Sequence, residues 1–443
     1  MDQSGQSKLI LPTRRTIMAA TSLAAGAAVV SQLAPSAYAQ GNDTLKAALI
    51  GCGGRGTGAA NDALNTSHPI KLVAAADVFQ DRIDSAMTEL TAMHKDKIDV
   101  PAERRFVGFD AFKKAIDAGV DIVIMATPPG WRPQHFEYAV QQNKHVFMEK
   151  PVAVDAPGVR RVIAASQEAK KKNLKVGVGL QRHHDPLYQQ TIAQVRDGAI
   201  GQPVFMRAYW NGGGIWTRPR QPGMSEMQYQ MANWYYFNWL CGDHIVEQHI
   251  HNIDVINWIK DAYPVSAQGV GGRQVRTGKE FGQIYDHHMI EFTYADGSTM
   301  LSQCRHIAKT WSSVSEHVHG TNGYANISGG LVEPKGGTKW RFRGEKPNPY
   351  RVEHEVLWDA VRNNKDHNEG EAGALATQTG IMGRMASYSG KMIRWDQALA
   401  SERVEAPGQD NYTWDSTPPV TPDADGNYPV PMPGDYDPFK PMA

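Results

Sequence analysis

The stretch from Leu45 to Asp77 reads LKAALIGCGGRGTGAANDALNTSHPIKLVAAAD. An apolar run, Ala47 to Ile50, leads directly into Gly51-Cys52-Gly53-Gly54-Arg55-Gly56. A helix-compatible segment follows, and a second apolar run, Leu72 to Ala76, ends at Asp77. Strand, glycine turn, helix and a strand with an acidic end is the order of a dinucleotide-binding βαβ unit. Gly51 is expected to make the tight turn, Gly53 to let the backbone approach a pyrophosphate, and Gly56 to let helix and strand pack closely. Gly54 and Arg55 fall at the helix start, where free N–H groups and the positive dipole end favour an anion. Asp77, about twenty residues on, is placed to take the ribose hydroxyls. A carboxylate there repels a 2′-phosphate, so the expected cofactor is NAD rather than NADP, with Arg55 and Arg82 pulling the other way.

With 443 residues the chain is long enough for two domains with sizeable cores. Lys+Arg and Asp+Glu are both 46, so nothing suggests a polyanion partner and no nucleic acid is expected. Cys52, Cys241 and Cys304 show no paired spacing and form neither a disulfide framework nor a zinc cluster. Residues 1–39 read as a leader. Arg14-Arg15 sits in a twin-arginine pattern, an apolar region runs from Ala19 to Ala34, and Ala37-Tyr38-Ala39 precedes Gln40. The apolar region is too short and too rich in Ala and Gly for a stable membrane anchor. The expected location is therefore the periplasm, or otherwise outside the cytoplasm through the twin-arginine route. That route carries proteins already folded, so the nicotinamide is expected to be a tightly held group.

Onward from the glycine loop, helices are expected at Phe79–Leu90, Phe109–Ala118, Phe136–Gln142 and Val159–Lys172. Buried strands are expected at Asp121–Ala126, His145–Met148 and Lys175–Gly179. Strand and helix alternate to this point, which argues for a doubly wound parallel sheet over residues 44–180. From Gln181 the texture changes. Pro203–Trp210 alternates as a strand, Gly212–Tyr236 reads as a long aromatic-rich loop, and Asp243–Ile259 reads as one helix. Strand-like runs follow at Val265–Gly271, Tyr285–Tyr294, Ser298–His306 and Ser313–His319, with a hairpin at Ala295-Asp296-Gly297. Two late helices, Val352–Asn363 and Ala374–Ile393, complete the second unit. The expected fold class is α/β: an N-terminal Rossmann domain, then an α+β domain over 181–395 with an open, mostly antiparallel sheet. Residues 406–443, rich in Pro, Asp and Gly, read as an extended C-terminal arm on this or a neighbouring subunit.

The glycine loop, Thr127-Pro128, His135 and Lys144-His145-Val146-Phe147-Met148-Glu149-Lys150-Pro151 together resemble the Gfo/Idh/MocA oxidoreductases over roughly residues 44–395. The resemblance implies a Rossmann domain, then a domain whose open sheet backs a sugar site and often mediates oligomerisation. A dimer or tetramer of identical chains is expected on that basis. It also implies oxidation or reduction of sugars and related polyols with NAD(P), and places Thr127, Pro128, His135, Glu149 and Lys150 at the cofactor. The exported type is similar to glucose–fructose oxidoreductase, whose nucleotide stays bound. Two departures stand out: Pro129 occupies the family's usual Asn position, and Glu247 takes the place of Asp in the D-x-x-x-H-x-x-D pattern completed by His251 and Asp254.

Oxidising an alcohol needs a base for the hydroxyl proton and a cation for the developing alkoxide. Lys150 stands at a strand's C-terminal end, where doubly wound sheets bind ligands, and is the expected cation. On one helix, residues 247, 251, 254 and 258 share a face, which carries Glu247, His251, Asp254 and Trp258. His251 is expected as general base or acid, Glu247 as its orienting partner or a substrate ligand, and Asp254 as a substrate contact or structural partner. Arg182 borders the cleft, to anchor substrate hydroxyls or to bridge the domains; Trp210 offers a ring face to a sugar. His244, His249, His251, His287 and His288 raise a metal site, but no ligand spacing supports one and none is expected. Two activities fit these residues. The first is a sugar or glycoside oxidoreductase; the second is redox-neutral glycosidase or lyase chemistry through a transient 3-keto sugar.

Overall fold

A computed structural model describes residues 44–441; the leader and its twin-arginine motif lie outside the described residues. Strands β1 (Leu45–Ile50), β2 (Ile70–Asp77), β3 (Arg105–Val107), β4 (Ile122–Met125), β5 (His145–Met148) and β6 (Val176–Val178) form one parallel sheet. Their order is β3-β2-β1-β4-β5-β6. Parallel strands joined by helical crossovers are covered on both faces, which requires them to be apolar on both sides; β4, for example, reads IVIM and every residue is buried. Expected helices are present with shifted ends, and the short edge strand β3 follows two 3-10 turns, Lys95–Lys97 and Ala102–Arg104.

The second sheet has nine strands. They are β7 (Pro203–Gly212), β8 (Ser266–Gly272), β9 (His287–Thr293), β10 (Thr299–His306), β11 (Ser313–Gly320), β12 (Gly323–Asn326), β13 (Leu331–Pro334), β14 (Trp340–Arg341) and β15 (Ile393–Arg394), in the order β14-β13-β12-β11-β7-β10-β9-β8-β15. Every described pairing is antiparallel except β7 with β10. One register row crosses seven strands, Ala267, Phe292, Met300, Met206, Val318, Ala325 and Val332. All seven are buried. Successive side chains of a strand face opposite ways, so this row marks the inner face. Helices Ile250–Lys260 and Gly370–Ser389 cover that face. On the outer face Val270 and Met289 stand opposite each other, 65% and 44% exposed.

Two expectations change and one left open is narrowed. The helix expected over Asp243–Ile259 is two helices, His244–Glu247 and Ile250–Lys260. The loop 212–236 contains a helix, Glu226–Ala232, closed by a Ser225/Gln228 capping box. The C-terminal arm lies on its own chain: Gln230 Nε2 donates to the Val420 carbonyl at 2.7 Å and Tyr428 Oη to Glu226 at 2.5 Å. Among the described residues no helix is long and apolar enough to cross a membrane.

Candidate active site

The glycine loop divides its glycines between fold and ligand. Gly51 has φ +90°, and a Cβ there would lie 2.6 Å from the Ala126 carbonyl carbon and the Thr127 nitrogen. A Cβ on Gly56 would sit 1.8 Å from the Gly51 carbonyl oxygen. Glycine at these two positions lets β1, β4 and the following helix meet. Gly53 and Gly54 have no atom within 4 Å of an added Cβ. They face a cavity of about 420 Å³, lined by Gly51, Gly53, Gly54, Arg55, Gly56 and Asp77, and by Thr127, Pro128 and His135 from the β4 side. Asp77 is fixed in this wall: Oδ2 accepts the Cys52 N–H at 2.7 Å and Oδ1 the Phe79 N–H at 3.0 Å. Burial raises its pKa, and those hydrogen bonds oppose the rise. Open backbone N–H groups at a helix start with a carboxylate at the next strand's end fit a dinucleotide.

The roof of this cavity comes from elsewhere in the chain. Trp216, Arg218, Met231 and Trp234 reach it from the second domain. The arm braces the wall from behind. Trp414 packs on Phe79 and Phe109, with ring centroids 5.3 and 4.8 Å apart, and Tyr412 meets Trp131 at 6.4 Å.

Arg132 ties the two ligand-edge turns together. Its guanidinium donates to the Thr127 and Pro151 carbonyls, and burial pulls its pKa down to about 10 against the pull of Glu149 and Glu247. His135 Nδ1 lies 3.3 Å from Thr127 Oγ1 beneath Phe112. Burial, with Arg132 and Lys113 adding, holds its pKa down to about 3, so this ring is neutral. Arg55 and Glu149 answer each other, Nε donating to Oε1 at 2.7 Å.

Lys150 stands just past the end of β5, outside the cavity lining, and reaches into the second domain. Its Nζ donates to the Glu247 carbonyl at 2.5 Å and to Glu247 Oε1 at 3.1 Å, with both side chains 12% exposed. The carbonyl is available because the helix breaks there. His251 N–H turns to the Gln248 carbonyl at 3.3 Å rather than to Glu247. His251 follows at the start of the second helix, its ring stacked on Trp210 with centroids 6.0 Å apart and Nδ1 without a hydrogen-bond partner. Burial pushes its pKa well down, and Lys150, Arg182 and Arg55 push further. The resting ring is a neutral imidazole, able to accept a proton.

The remaining expected residues divide. Asp254 Oδ2 meets His183 Nε2 at 2.7 Å, and His183 stacks on Trp258. Arg182, just past the last parallel strand, is buried and donates to Glu316 Oε1 of β11 at 2.6 Å, so its guanidinium ties the domain junction to the second sheet. His249 Nε2 is 2.8 Å from Ser302 Oγ. Asp243, His244 and His288 converge in the interior, each fully buried, with one ligand atom apiece within 4.8 Å of one another. His244 and His288 were among the histidines raised from sequence, but Asp243 and the convergence of the three were not, because His288 arrives from a distant strand. Arg132, Arg218 and Met231 had no sequence signal, and the aromatic-rich loop that carries Trp216 and Trp234, expected on the substrate side, lines the glycine-loop cavity instead, a closure made only through tertiary contact.

A model of an oxidoreductase family with an NAD-binding Rossmann fold matches residues 45–180, and the GFO/IDH/MocA C-terminal domain model matches residues 188–326. The chain belongs to the Gfo/Idh/MocA oxidoreductases. This Gfo/Idh/MocA chain is 28% identical over 259 residues to an inositol 2-dehydrogenase of Serratia proteamaculans, covering 58% of it and 65% of the relative. It is 31% identical over 171 residues to an inositol 2-dehydrogenase of Pseudomonas fluorescens, covering 38% and 44%. It thus spans less than two thirds of the length of these curated relatives. Its fold is shared with aldose-aldose oxidoreductase from Caulobacter crescentus complexed with glycerol, at TM-score 0.63, 19% identity and coverage of 80% and 100%. It is also shared with scyllo-inositol dehydrogenase from Lactobacillus casei with bound NAD(H) and scyllo-inositol, at TM-score 0.61, 21% identity and the same coverage.

Proposed function

We propose that this oxidoreductase is exported through the twin-arginine route with a tightly held NAD, and oxidises a hydroxyl of a sugar, glycoside or cyclic polyol or reduces the corresponding carbonyl. One observation carries the chemistry. Lys150, anchored on Glu247 at the C-terminal edge of the parallel sheet, lies close enough to the buried His251 for its charge to help hold that ring neutral. NAD, when bound, supplies the hydride acceptor. Gly53, Gly54 and Asp77 would hold its pyrophosphate and ribose; Asp77 favours NAD over NADP. Lys150 donates to the substrate oxygen and stabilises charge developing there, and His251 takes the hydroxyl proton. Glu247 orients Lys150, and Trp210 beside His251 offers an apolar face to a ring.

Tight retention is supported by the roof: Trp216 and Trp234 line the cavity from the second domain, and their loop is pinned by the arm through Gln230 and Glu226. Export rests on Arg14-Arg15 and the small residues before Gln40. A homo-oligomer, dimer or tetramer, is supported by the exposed Val270 and Met289 on the outer sheet face. The inositol 2-dehydrogenases among its relatives favour plain dehydrogenation over redox-neutral cleavage.

The test is anaerobic incubation of purified protein with a panel of free cyclitols, aldoses and aryl glycosides, following nicotinamide absorbance and analysing products. Reduced nicotinamide with a keto product is expected. Aglycone release without net reduction would replace this reading with the lyase one.

A further inference from the structure

The acceptors that hold Lys150 depend on an interrupted helix, and an interruption needs something to keep it. In a continuous helix the Glu247 carbonyl would be occupied by the His251 N–H. Instead His251 N–H bonds Gln248, and His249 N–H reaches five residues back to the His244 carbonyl at 3.1 Å. Giving up regular helical bonding costs on the order of 1 kcal/mol per bond lost, so the slack turn would close without outside support.

That support comes from β10. Gln248 Oε1 accepts from His306 Nε2 at 2.7 Å, and His249 Nε2 meets Ser302 Oγ at 2.8 Å. Ser302 and His306 are four residues apart on the buried face of one strand. The two residues of the break are therefore fastened to two points of the sheet. His306 is itself backed by the His244 ring at 4.4 Å and by Tyr235 at 6.0 Å. The start of the first short helix is fixed independently by Asp243. One of its oxygens accepts the His244 N–H at 2.5 Å and faces His244 Nδ1 at 3.0 Å. The other accepts Tyr388 Oη at 2.5 Å and the Tyr285 N–H at 3.0 Å, with His288 Nε2 at 3.2 Å. A carboxylate has about four lone-pair sites, so Asp243 is already fully used by protein donors. That is the pattern of a brace rather than of a vacant metal ligand.

We propose that Gln248 and His306, seconded by His249 and Ser302, are positioning residues that hold the helix break open and so present the Glu247 carbonyl and carboxylate to Lys150. The proposal rests on the reading of Lys150 as the group that holds the substrate oxygen.

The most direct test needs no substrate: crystal structures of the full chain carrying Gln248→Leu, with Ser302→Ala as a smaller change should the first variant not fold. The expected result is closure of the turn, with His251 N–H on the Glu247 carbonyl and Lys150 Nζ moved beyond about 3.5 Å from it. A break and a Lys150 contact that persist in the variant overturn the proposal. Turnover of the holoenzyme, assayed with the same cyclitol and aldose panel, gives the second readout. Gln248→Leu is expected to lower kcat by roughly 10- to 100-fold, a loss typical of about 1 Å misplacement, with KM and bound nucleotide unchanged. Gln248→Glu, which keeps the acceptor, is expected to recover most of it. Loss of kcat together with nucleotide and melting temperature, without rescue, would mark a merely structural contact. Stoichiometric metal in the purified protein would instead assign Asp243, His244 and His288 as ligands and overturn the brace. Lys150→Met is the control: an active Lys150→Met sinks the reading of the site, whereas an inactive one beside a fully active Gln248→Leu sinks only this proposal.

Discussion

Replacing Gly53 and Gly56 separately by alanine should give opposite results, because the two methyl groups would meet different things. On Gly56 the methyl carbon would lie 1.8 Å from the Gly51 carbonyl oxygen and 2.9 Å from the Gly51 carbonyl carbon. Relief to an ordinary contact requires a backbone shift of about 1.5 Å, and overpacking of this kind costs about 1–3 kcal/mol, sometimes more. The helix interior returns about 1 kcal/mol for Gly to Ala. A 1.8 Å approach to a backbone atom lies at the upper end of that range, so the net expectation is a loss of about 2 kcal/mol, together with a displaced phosphate loop. On Gly53, φ is −73°, a conformation alanine adopts freely, and no protein atom lies within 4 Å of the new methyl. Gly53→Ala should therefore change stability by less than about 0.5 kcal/mol, while placing a methyl on the face where a pyrophosphate would lie. The assays are urea unfolding of nucleotide-stripped protein and calorimetric titration with NAD. Gly53→Ala should unfold like the wild type and bind NAD at least 10-fold more weakly, a 1.4 kcal/mol loss. Unchanged NAD affinity in Gly53→Ala, or wild-type stability in Gly56→Ala, would refute this division of roles.

Stability should fall on acidification well before the carboxylates titrate. Burial holds His135, His249, His306 and His354 each down to about 3 in the folded chain. The unfolded chain binds those protons below about pH 6.5, so stability is full above that pH and drops by about 1.4 kcal/mol per pH unit per histidine as pH falls. Melting curves from pH 7.5 to 5 check this, and a flat profile contradicts it. Glu316→Gln leaves the buried Arg182 guanidinium without its counter-charge and should cost about 3–5 kcal/mol in urea unfolding; a neutral result would show that this buried pair is relaxed in solution. Trp414→Ala removes the brace behind Phe79 and Phe109 and should speed nucleotide release by at least about 10-fold. Stopped-flow displacement reads that rate, and an unchanged rate would free the arm from any part in retention.

The first half of the chain was legible because its signals are local. Glycine positions, apolar runs and an acidic strand end each report the backbone within a few residues, and Gly51, Gly53, Gly56 and Asp77 all line the cavity. Periodicity also found five of the nine strands of the second sheet, but not the short strands β12 to β15, of two to four residues each, nor the β7–β10 parallel pair, which depends on a long return connection. The helix break at Gln248 was invisible for the opposite reason. Its sequence, HIVEQHIHNID, keeps a helical period throughout, and the break is imposed by His306 and Ser302 from a strand more than fifty residues away. Arg182 fitted either a substrate contact or a bridge from sequence; only the arrival of Glu316 on β11 showed where its charge is spent. The roof and the arm were likewise unreadable, since Trp216, Trp234 and Trp414 are ordinary loop aromatics until the chain closes around the glycine loop.

The central claim is that Lys150, set by Glu247 and paired with a neutral His251, acts on a hydroxyl beside a nucleotide that the protein keeps. It is tested most directly by a single-turnover comparison of wild type and Lys150→Met, each purified with its nucleotide and mixed anaerobically with an oxidisable cyclitol or aldose. Equal nucleotide content in the two proteins, with rapid nicotinamide reduction in the wild type and at least about 1000-fold slower reduction in Lys150→Met, is the expected result. Comparable reduction rates, or a wild type that purifies free of nucleotide, would contradict it.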